Sequence, residues 1–247
     1  MSSFELLTLE FVESFPGRDI RLIEVDENVA AHVHHGGNIS ILGNVLDKDA
    51  VLCTISETYT MKRVETSNHV FIAQDSYIHA QSNYHYELSP TTPHPSSQVL
   101  ETLRQSALKS TSEERNEKYL KTRFLDRNEL QTMMLCSDAE LLKMMDQLGI
   151  IEINGKMRMV SISALVEVLA EMLDVAVING WDLRIHQQEC TQALPSTDSN
   201  LIEFALNHLG SRLDISSGVW ELIPEKVFQA CARVFIHLNS TRKQVSI

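Results

Sequence analysis

The chain has 247 residues, enough for one large domain or several small ones, each with its own hydrophobic core. Its 33 acidic residues against 21 lysines and arginines give a formal net charge of −12, which disfavours a protein whose main task is to grip bare nucleic acid or an anionic membrane. Hydrophobic residues at 43% exclude wholesale disorder, and charges interrupt every long apolar run, so no membrane-spanning helix is predicted.

The four cysteines and the N-terminal residues indicate the cellular compartment in which the protein is found. No two cysteines form a C-x-x-C pair, which favours free thiols in a reducing compartment over disulfides or zinc. The first ten residues carry two glutamates and no basic residue, unlike a secretory signal. These features predict a cytosolic or nuclear protein.

The first 97 residues predict a β-rich domain. Short apolar runs recur between turn-forming residues, a spacing typical of an antiparallel barrel or sandwich. The runs are Phe4–Phe11, Ile20–Val25, Ile39–Leu42, Ala50–Ile55, Tyr59–Val64 and Val70–Ala73. Because the segment is short for a self-sufficient barrel, we expect its unpaired strand edges to need a partner. Three of the six prolines lie in residues 87–97, which predicts a linker and a domain boundary there.

A histidine cluster at His32, His34 and His35 is predicted to lie on a surface strand. On a strand His32 and His34 would share a face and could touch one metal ion, but a site needs three or four convergent ligands, so we favour the plain surface strand. Phosphate-loop, dinucleotide, zinc-protease and serine-hydrolase motifs are all missing from the sequence. The sequence therefore predicts a protein that is not an enzyme and has no metal or cofactor.

Residues 98–160 predict a first winged helix: a helix, one short strand, two helices and a hairpin. Asp126 with Glu129, and Ser137 with Glu140, have the spacing of capping boxes that begin the second and third helices. The hairpin is marked by Asn154–Gly155, because both turn positions require a positive φ.

The same order then recurs over residues 161–223, which predicts a second winged helix. Gly149 and Gly210 each follow the third predicted helix of their unit, and they lie 61 positions apart. Residues 224–247 predict the opening helix of a third, truncated unit. The predicted fold class is thus α+β, with a barrel-like antiparallel region followed by tandem winged helices.

Winged helices often bind DNA, but few cations are placed to do so here. On the first wing, Lys156 and Arg158 are the possible nucleic-acid contacts. The third helix of the second predicted winged helix, which would be its DNA-reading helix, has no lysine or arginine. Phosphate binding normally takes several cations. A DNA-binding regulator is therefore retained only as the alternative to a protein-binding subunit.

Several motifs, in order along residues 40–235, resemble those of the Dcc (defective in sister chromatid cohesion) family. The matching segments are Lys48–Thr54 with Tyr59, Glu65–Asn68 followed by Val70–Ile72, Ser82–Leu88, Ile153–Arg158 and Val227–Arg233. The resemblance implies a non-catalytic nuclear subunit of the Ctf-type alternative replication factor C, which loads the PCNA sliding clamp and supports sister chromatid cohesion. PCNA would be engaged only indirectly.

The resemblance also implies partners. The β region would be part of a composite barrel completed by the small Ctf subunit and the C-terminal tail of the large Ctf subunit, and the winged helices would contact DNA polymerase epsilon and DNA. Obligate interfaces resemble a core cut in half, so we expect apolar strand residues to carry the pairing. The candidates are Val51, Leu52, Val64, Val70, Phe71 and Ile72. The family motif Glu65, Thr66, Ser67 and Asn68 is predicted to form a capped local turn.

The sequence departs from the family pattern at its end. Family members continue through a complete third winged helix, whereas this chain stops at Ile247, and Met157 stands where the family wing usually has tryptophan. We therefore expect the polymerase and DNA contacts to be affected more than barrel assembly. A lineage-specific loss, an isoform and a wrong gene model all remain open as explanations.

Overall fold

The computed structural model describes residues 9–13, 15, 21–43, 50–111, 123–214 and 218–244. Over these ranges the protein is mixed α+β, with eight helices and eleven strands. The chain divides into two compact units. The first comprises Met1–His94 together with Gln131–Leu141, and the second comprises Pro95–Leu130 together with Leu142–Ile247. No helix in the described ranges is both long and apolar enough to cross a membrane.

The first unit is built on a six-stranded sheet. Its strands are β1 (Glu10–Phe11), β2 (Ile23–Glu24), β3 (Ser40–Gly43), β4 (Ala50–Cys53), β5 (Thr58–Gln74) and β6 (Tyr77–Thr91). The order is β1-β6-β5-β4-β3, and β2 also pairs with β6. The predicted strand-rich region is therefore present, but over the described residues the sheet is open and not a closed barrel. Its two shortest strands, β1 and β2, pair parallel to β6, where only antiparallel pairing was predicted.

The long β5–β6 hairpin corrects two predictions. Its ladder pairs Glu65 with Tyr84 and Val70 with Ser82, so residues 66–69 oppose Asn83 alone and form a bulge inside β5. The predicted turn at Glu65–Asn68 is thus wrong: Thr66 Oγ1 donates to the carbonyl of Asn68 at 2.6 Å, a local bond that accommodates the extra residues without reversing the chain.

The chain reverses instead at Asp75 and Ser76, whose φ values of 49° and 67° suit a two-residue hairpin loop. The predicted linker at residues 87–97 begins too early, because β6 continues to Thr91 and includes Pro90. Beyond Glu87, where the β2 ladder ends, β6 has one described partner strand, a position that tolerates proline.

The histidine cluster lies on a helix and not on the predicted strand. Helix α1 (Glu27–His34) begins where the Asp26 carboxylate accepts from Val29 N at 2.8 Å. Residues two apart lie on different faces of a helix, so the shared face expected for His32 and His34 does not exist. The inward residue of α1 is Val29, which packs with Leu52 and Tyr59 in the core of this unit.

From residue 97 onward, the described chain shows the predicted element order twice. The first set is α2 (Ser97–Gln105), a bridge from Leu125 to Met157, α3 (Arg127–Met134), α4 (Asp138–Leu148), β7 (Ile150–Ile153) and β8 (Lys156–Met159). Part of α3 and α4, residues 131–141, belongs to the first unit. Asp126 and Glu129 form the predicted capping box, each accepting from the other's backbone N–H at 2.8 and 3.0 Å. Asn154 and Gly155 form the predicted hairpin, with φ of 51° and 74°.

The second set begins with α5 (Ile162–Asn179), which ends at Gly180 in the left-handed conformation. It continues with β9 (Arg184–His186), α6 (Gln187–Ala193), α7 (Ser199–Leu209), β10 (Gly210–Asp214) and β11 (Val219–Leu222), and α8 (Pro224–Gln244) follows. A core of Leu169, Met172, Ile202 and Leu206 holds α5 and α7 together. Parts of the predicted segments lie outside the described residues: residues 4–8 of the run Phe4–Phe11, residue 20 of the run Ile20–Val25, residues 48–49 of the motif Lys48–Thr54, and residues 112–122, 215–217 and 245–247 of the predicted helical units.

Candidate functional site: the interaction surfaces

The six predicted interface residues separate into a buried and an exposed group. Val51 and Leu52 on β4 are 5% and 1% exposed, so both are core residues. Val64 and Ile72 are half-buried on β5. Val70 and Phe71, at the far end of β5, are 49% and 48% exposed and are the members of the set with the most side-chain surface available to a partner.

Phe71 belongs to an exposed group of rings that sequence reasoning did not find. Its ring lies 6.3 Å from that of Phe11 and 6.5 Å from that of His69, and Phe11 lies 4.7 Å from Phe15. We call Phe11, Phe15, His69 and Phe71 the distal aromatic patch. The pairing of β1 with the start of β6 brings Phe11 to this end of the sheet, a contact between segments 60 residues apart in sequence that no local pattern predicts.

The opposite side of the sheet ends at a free edge. Strand β3 pairs with β4 alone, and among the described residues no strand occupies its other side. Ile41 on this strand is 58% exposed, and Ile39 just before it is 43% exposed. An edge of unpaired backbone N–H and C=O groups flanked by apolar side chains is a template for another strand.

A buried polar network joins the start of β5 to residues 131–141, the segment that runs from the end of α3 into the first turn of α4. Thr58, 1% exposed, donates its hydroxyl to the Glu140 carboxylate and accepts from Ser137 N at 2.8 Å. Ser137 Oγ also donates to that carboxylate at 2.6 Å, and Glu140 N donates to Ser137 Oγ at 3.3 Å, as the predicted capping box requires. The network satisfies polar groups that would otherwise be buried without partners.

Two cysteines lie beside this network. Burial raises the pKa of the Cys136 thiol to about 12, and burial also raises the pKa of Cys53, whose sulfur lies 3.6 Å from Thr58 Oγ1. In the second unit, burial raises the pKa of Cys190 to about 11. Such thiols stay protonated at neutral pH and are poor nucleophiles, which indicates a packing role.

The two predicted nucleic-acid contacts have different surroundings. Lys156 is exposed at the start of β8. Arg158 is half-buried: its Nε and Nη2 donate to the carbonyls of Ser106 and Ala107 at 3.1 and 3.0 Å, and its guanidinium lies over the Phe124 ring. The guanidinium of Arg158 is thus committed to holding β8 against the segment after α2, and Lys156 is the more accessible of the two cations.

A second cationic feature was not expected from the sequence. A cleft of about 480 Å³ in the second unit is lined by Lys226 and Arg233, two turns apart on α8, and by His208 on α7. Asp146 is the one acidic residue of its lining. The seven-residue spacing of Lys226 and Arg233 is the sequence signal that reveals this pair, because such a spacing places both on one face of a helix.

One group of side chains in the described ranges has metal-ligand chemistry. Glu24 on β2 and His85 and Glu87 on β6 bring their ligand atoms within 4.8 Å of one another. His85 Nε2 lies 3.4 Å from the Glu24 carboxylate and 3.6 Å from that of Glu87. This group is unrelated to the His32 cluster considered from the sequence.

Comparison with known proteins identifies the family. A family model described as "Sister chromatid cohesion protein Dcc1" matches residues 20–246. Proteins named "Sister chromatid cohesion protein DCC1" are similar to this chain. The Xenopus laevis protein is 24% identical over 92% of this chain and 63% of its own length, and the Homo sapiens protein is 23% identical over 88% and 60%. The Danio rerio protein is 40% identical over 60 residues, 24% of this chain and 15% of its own.

This chain therefore spans somewhat less than two thirds of the length of the Xenopus and human proteins that it matches. The family match covers most of both compact units, including every strand of the open sheet except β1 and both sets of repeated elements. The predicted resemblance is confirmed: the chain belongs to the sister chromatid cohesion protein Dcc1 family.

Proposed function

We propose that this protein acts in sister chromatid cohesion as a non-catalytic nuclear subunit of the Ctf-type alternative replication factor C, and so contributes to loading PCNA at replication forks. Membership of the Dcc1 family is the observation that carries the proposal. The acidic net charge and the protonated buried thiols are consistent with an assembly role and do not suggest catalysis.

The first unit would be the assembly module. Its sheet has a free edge at β3, and the distal aromatic patch lies towards the opposite edge, at β1. At both places exposed apolar side chains lie next to the backbone of an edge strand. Strands from the small Ctf subunit and from the C-terminal tail of the large Ctf subunit would pair there and extend the open sheet into a composite barrel. Main-chain hydrogen bonds would supply affinity, and alternate side chains would supply specificity.

The second unit would present winged helices to replication partners. The set from α2 to β8 and the set from α5 to β11 would each form a winged helix, which their element order supports, and α8 would open a third unit. These elements would make the contacts with DNA polymerase epsilon or with DNA. Their exposed cations are Lys156 on the first wing and Lys226 and Arg233 in the cleft on α8.

The assembly proposal is tested by co-expressing the full chain with the small Ctf subunit and the tail of the large subunit. Phe71→Asp should reduce co-purification of both partners, because it places a charge in the distal aromatic patch. Phe228→Asp is the matched control, since Phe228 is 73% exposed on α8 in the other unit. Equal recovery of partners with both variants would refute a role for this patch, and absence of any complex with the unaltered chain would refute the proposed assembly.

The alternative of a winged-helix DNA-binding regulator rests on the cleft lined by Lys226 and Arg233. It predicts salt-dependent binding of duplex DNA by the full chain, with a salt slope lowered by about one for each cation reversed. Lys226→Glu with Arg233→Glu should therefore lower the slope more than Lys156→Glu alone. An unchanged slope in the double variant would eliminate this cleft as a DNA contact.

A further inference from the structure

Two strands place three ligand side chains at one point of the sheet. Strand β2 pairs parallel with β6 so that Glu24 is the neighbour of Glu87, and a hydrogen bond of 2.9 Å from Tyr86 N to the carbonyl of Leu22 fixes this register. His85 precedes Glu87 by two residues, so both project from the same face of β6. Backbone pairing, and not a mobile loop, sets the separation of the three groups.

Two of the three separations are close to those between ligands around a tetrahedral zinc ion. With Zn–N and Zn–O bonds of about 2.0–2.2 Å, two tetrahedral ligand atoms lie about 3.3 Å apart. His85 Nε2 lies 3.4 and 3.6 Å from carboxylate oxygens of Glu24 and Glu87, and the three ligand atoms all lie within 4.8 Å. Small rotations of the exposed carboxylates, which are 70% and 46% accessible, would close the third separation.

We propose that Glu24, His85 and Glu87 form a zinc-binding site that fastens β2 to β6. Histidine nitrogen and carboxylate oxygen are both zinc ligands, and three protein ligands leave a fourth position for water. The bound ion would neutralise two carboxylates that otherwise repel each other across the β2–β6 ladder. It would also add a strong cross-link to a strand that has only two residues, Ile23 and Glu24.

Other groups on the same face of the sheet compete with a metal ion for the two carboxylates. The residue opposite Glu87 on β5 is Lys62, and the residue opposite His85 is Val64. The Lys62 ammonium and a protonated His85 are the monovalent alternatives to a metal for balancing the two carboxylates. Because this ion pairing alone would explain the short His85 distances, the test must measure metal binding directly.

The test titrates the chelator-treated full chain with ZnCl₂ by calorimetry, and with CoCl₂ by visible absorption, which reports coordination geometry. We expect one equivalent to bind, and His85→Ala to weaken binding by at least about tenfold. His94→Ala is the matched control, because His94 is an exposed histidine of the same unit outside the site. Zinc should also slow amide hydrogen exchange at Tyr86 in the unaltered chain but not in His85→Ala.

Three results would overturn the proposal. They are the absence of saturable zinc binding, equal affinities of His85→Ala and the unaltered chain, and a cobalt spectrum that the Glu24→Gln, Glu87→Gln double variant leaves unchanged. Circular dichroism of the metal-free variants separates loss of a ligand from loss of fold. Because the site lies on the first unit and needs no partner, its failure would leave the proposed assembly role untouched.

Discussion

Replacing Thr58 by valine tests the buried network that joins β5 to residues 131–141. Valine keeps the shape of the side chain but removes the hydroxyl that donates to Glu140 and accepts from Ser137 N. A hydrogen bond to a charged group contributes about 1.5–3 kcal/mol. Ser137 N still has the Glu140 carboxylate at 3.2 Å, so this buried N–H keeps a partner and the cost stays below the upper end of that range. We expect a loss of about 2 kcal/mol in the free energy of unfolding.

Urea unfolding of the full chain measures this loss, and hydrogen exchange of β4 and β5 assigns it to the first unit. Thr60→Val is the matched control: Thr60 lies two residues further along β5 and is exposed, and its hydroxyl donates to the carbonyl of Ser89 at 3.2 Å. That substitution should cost less than about 0.5 kcal/mol.

A double-mutant cycle of Thr58→Val with Glu140→Ala should give a coupling energy of at least about 1 kcal/mol, because each substitution removes the same bond. Additivity of the two substitutions, or equal costs of Thr58→Val and Thr60→Val, would show that the network does not stabilise this unit.

Burial, capping and packing give four further predictions. Burial raises the pKa of the Cys136 thiol from its ordinary value of 9.0 to about 12, so between these values the unfolded chain loses this proton first. Cys136 should therefore lower the free energy of unfolding by about 1.4 kcal/mol per pH unit in that range. Equilibrium unfolding across the range measures the slope, and Cys136→Ala should make it shallower by about this amount. At pH 8 a thiol reagent should modify the exposed Cys231 well before the buried Cys136, and equal labelling rates in the native chain would contradict the described burial. Asp126→Ala should cost about 1 kcal/mol in urea unfolding by removing the cap of α3, and Asp126→Asn should restore most of it. Leu206→Ala should cost about 2–5 kcal/mol, since Leu206 is fully buried between α5 and α7, and a loss below 1 kcal/mol would mean that this core is not packed as described.

The second unit was largely predictable because its signals are local. A capping box needs only the side chains at two positions three residues apart, and Asp126 with Glu129 forms one as expected. A two-residue hairpin loop needs only residues that tolerate positive φ, and Asn154–Gly155 supplies them. Helix ends at Gly149 and Gly180 follow from the same conformational preference.

The first unit was less predictable because its contacts are distant in sequence. Nothing near Glu65 specifies whether a polar cluster reverses a chain or bulges out of a strand; pairing with Tyr84 and Ser82 on β6 decides it. The Asp75–Ser76 loop has a weaker turn signal than Asn-Gly, so the true reversal was missed. Helix α1 was mistaken for a strand because its eight residues mix histidine with β-branched valine, although its Asp26 cap was visible.

The same distant contacts limit how this protein can be divided for experiments. A fragment ending at residue 97, the boundary predicted from composition, would contain Thr58 and Cys53 but would lack Ser137 and Glu140, which belong to the first compact unit. The Thr58 hydroxyl would then lose both Glu140 and Ser137, and the Cys53 thiol would lose its neighbours Glu140 and Cys136. Failure of such a fragment to bind the Ctf partners would reflect a damaged sheet and would carry no information about the β3 edge or the distal aromatic patch. Single substitutions in the full chain avoid this ambiguity, because they alter one surface while the network that supports the sheet stays intact.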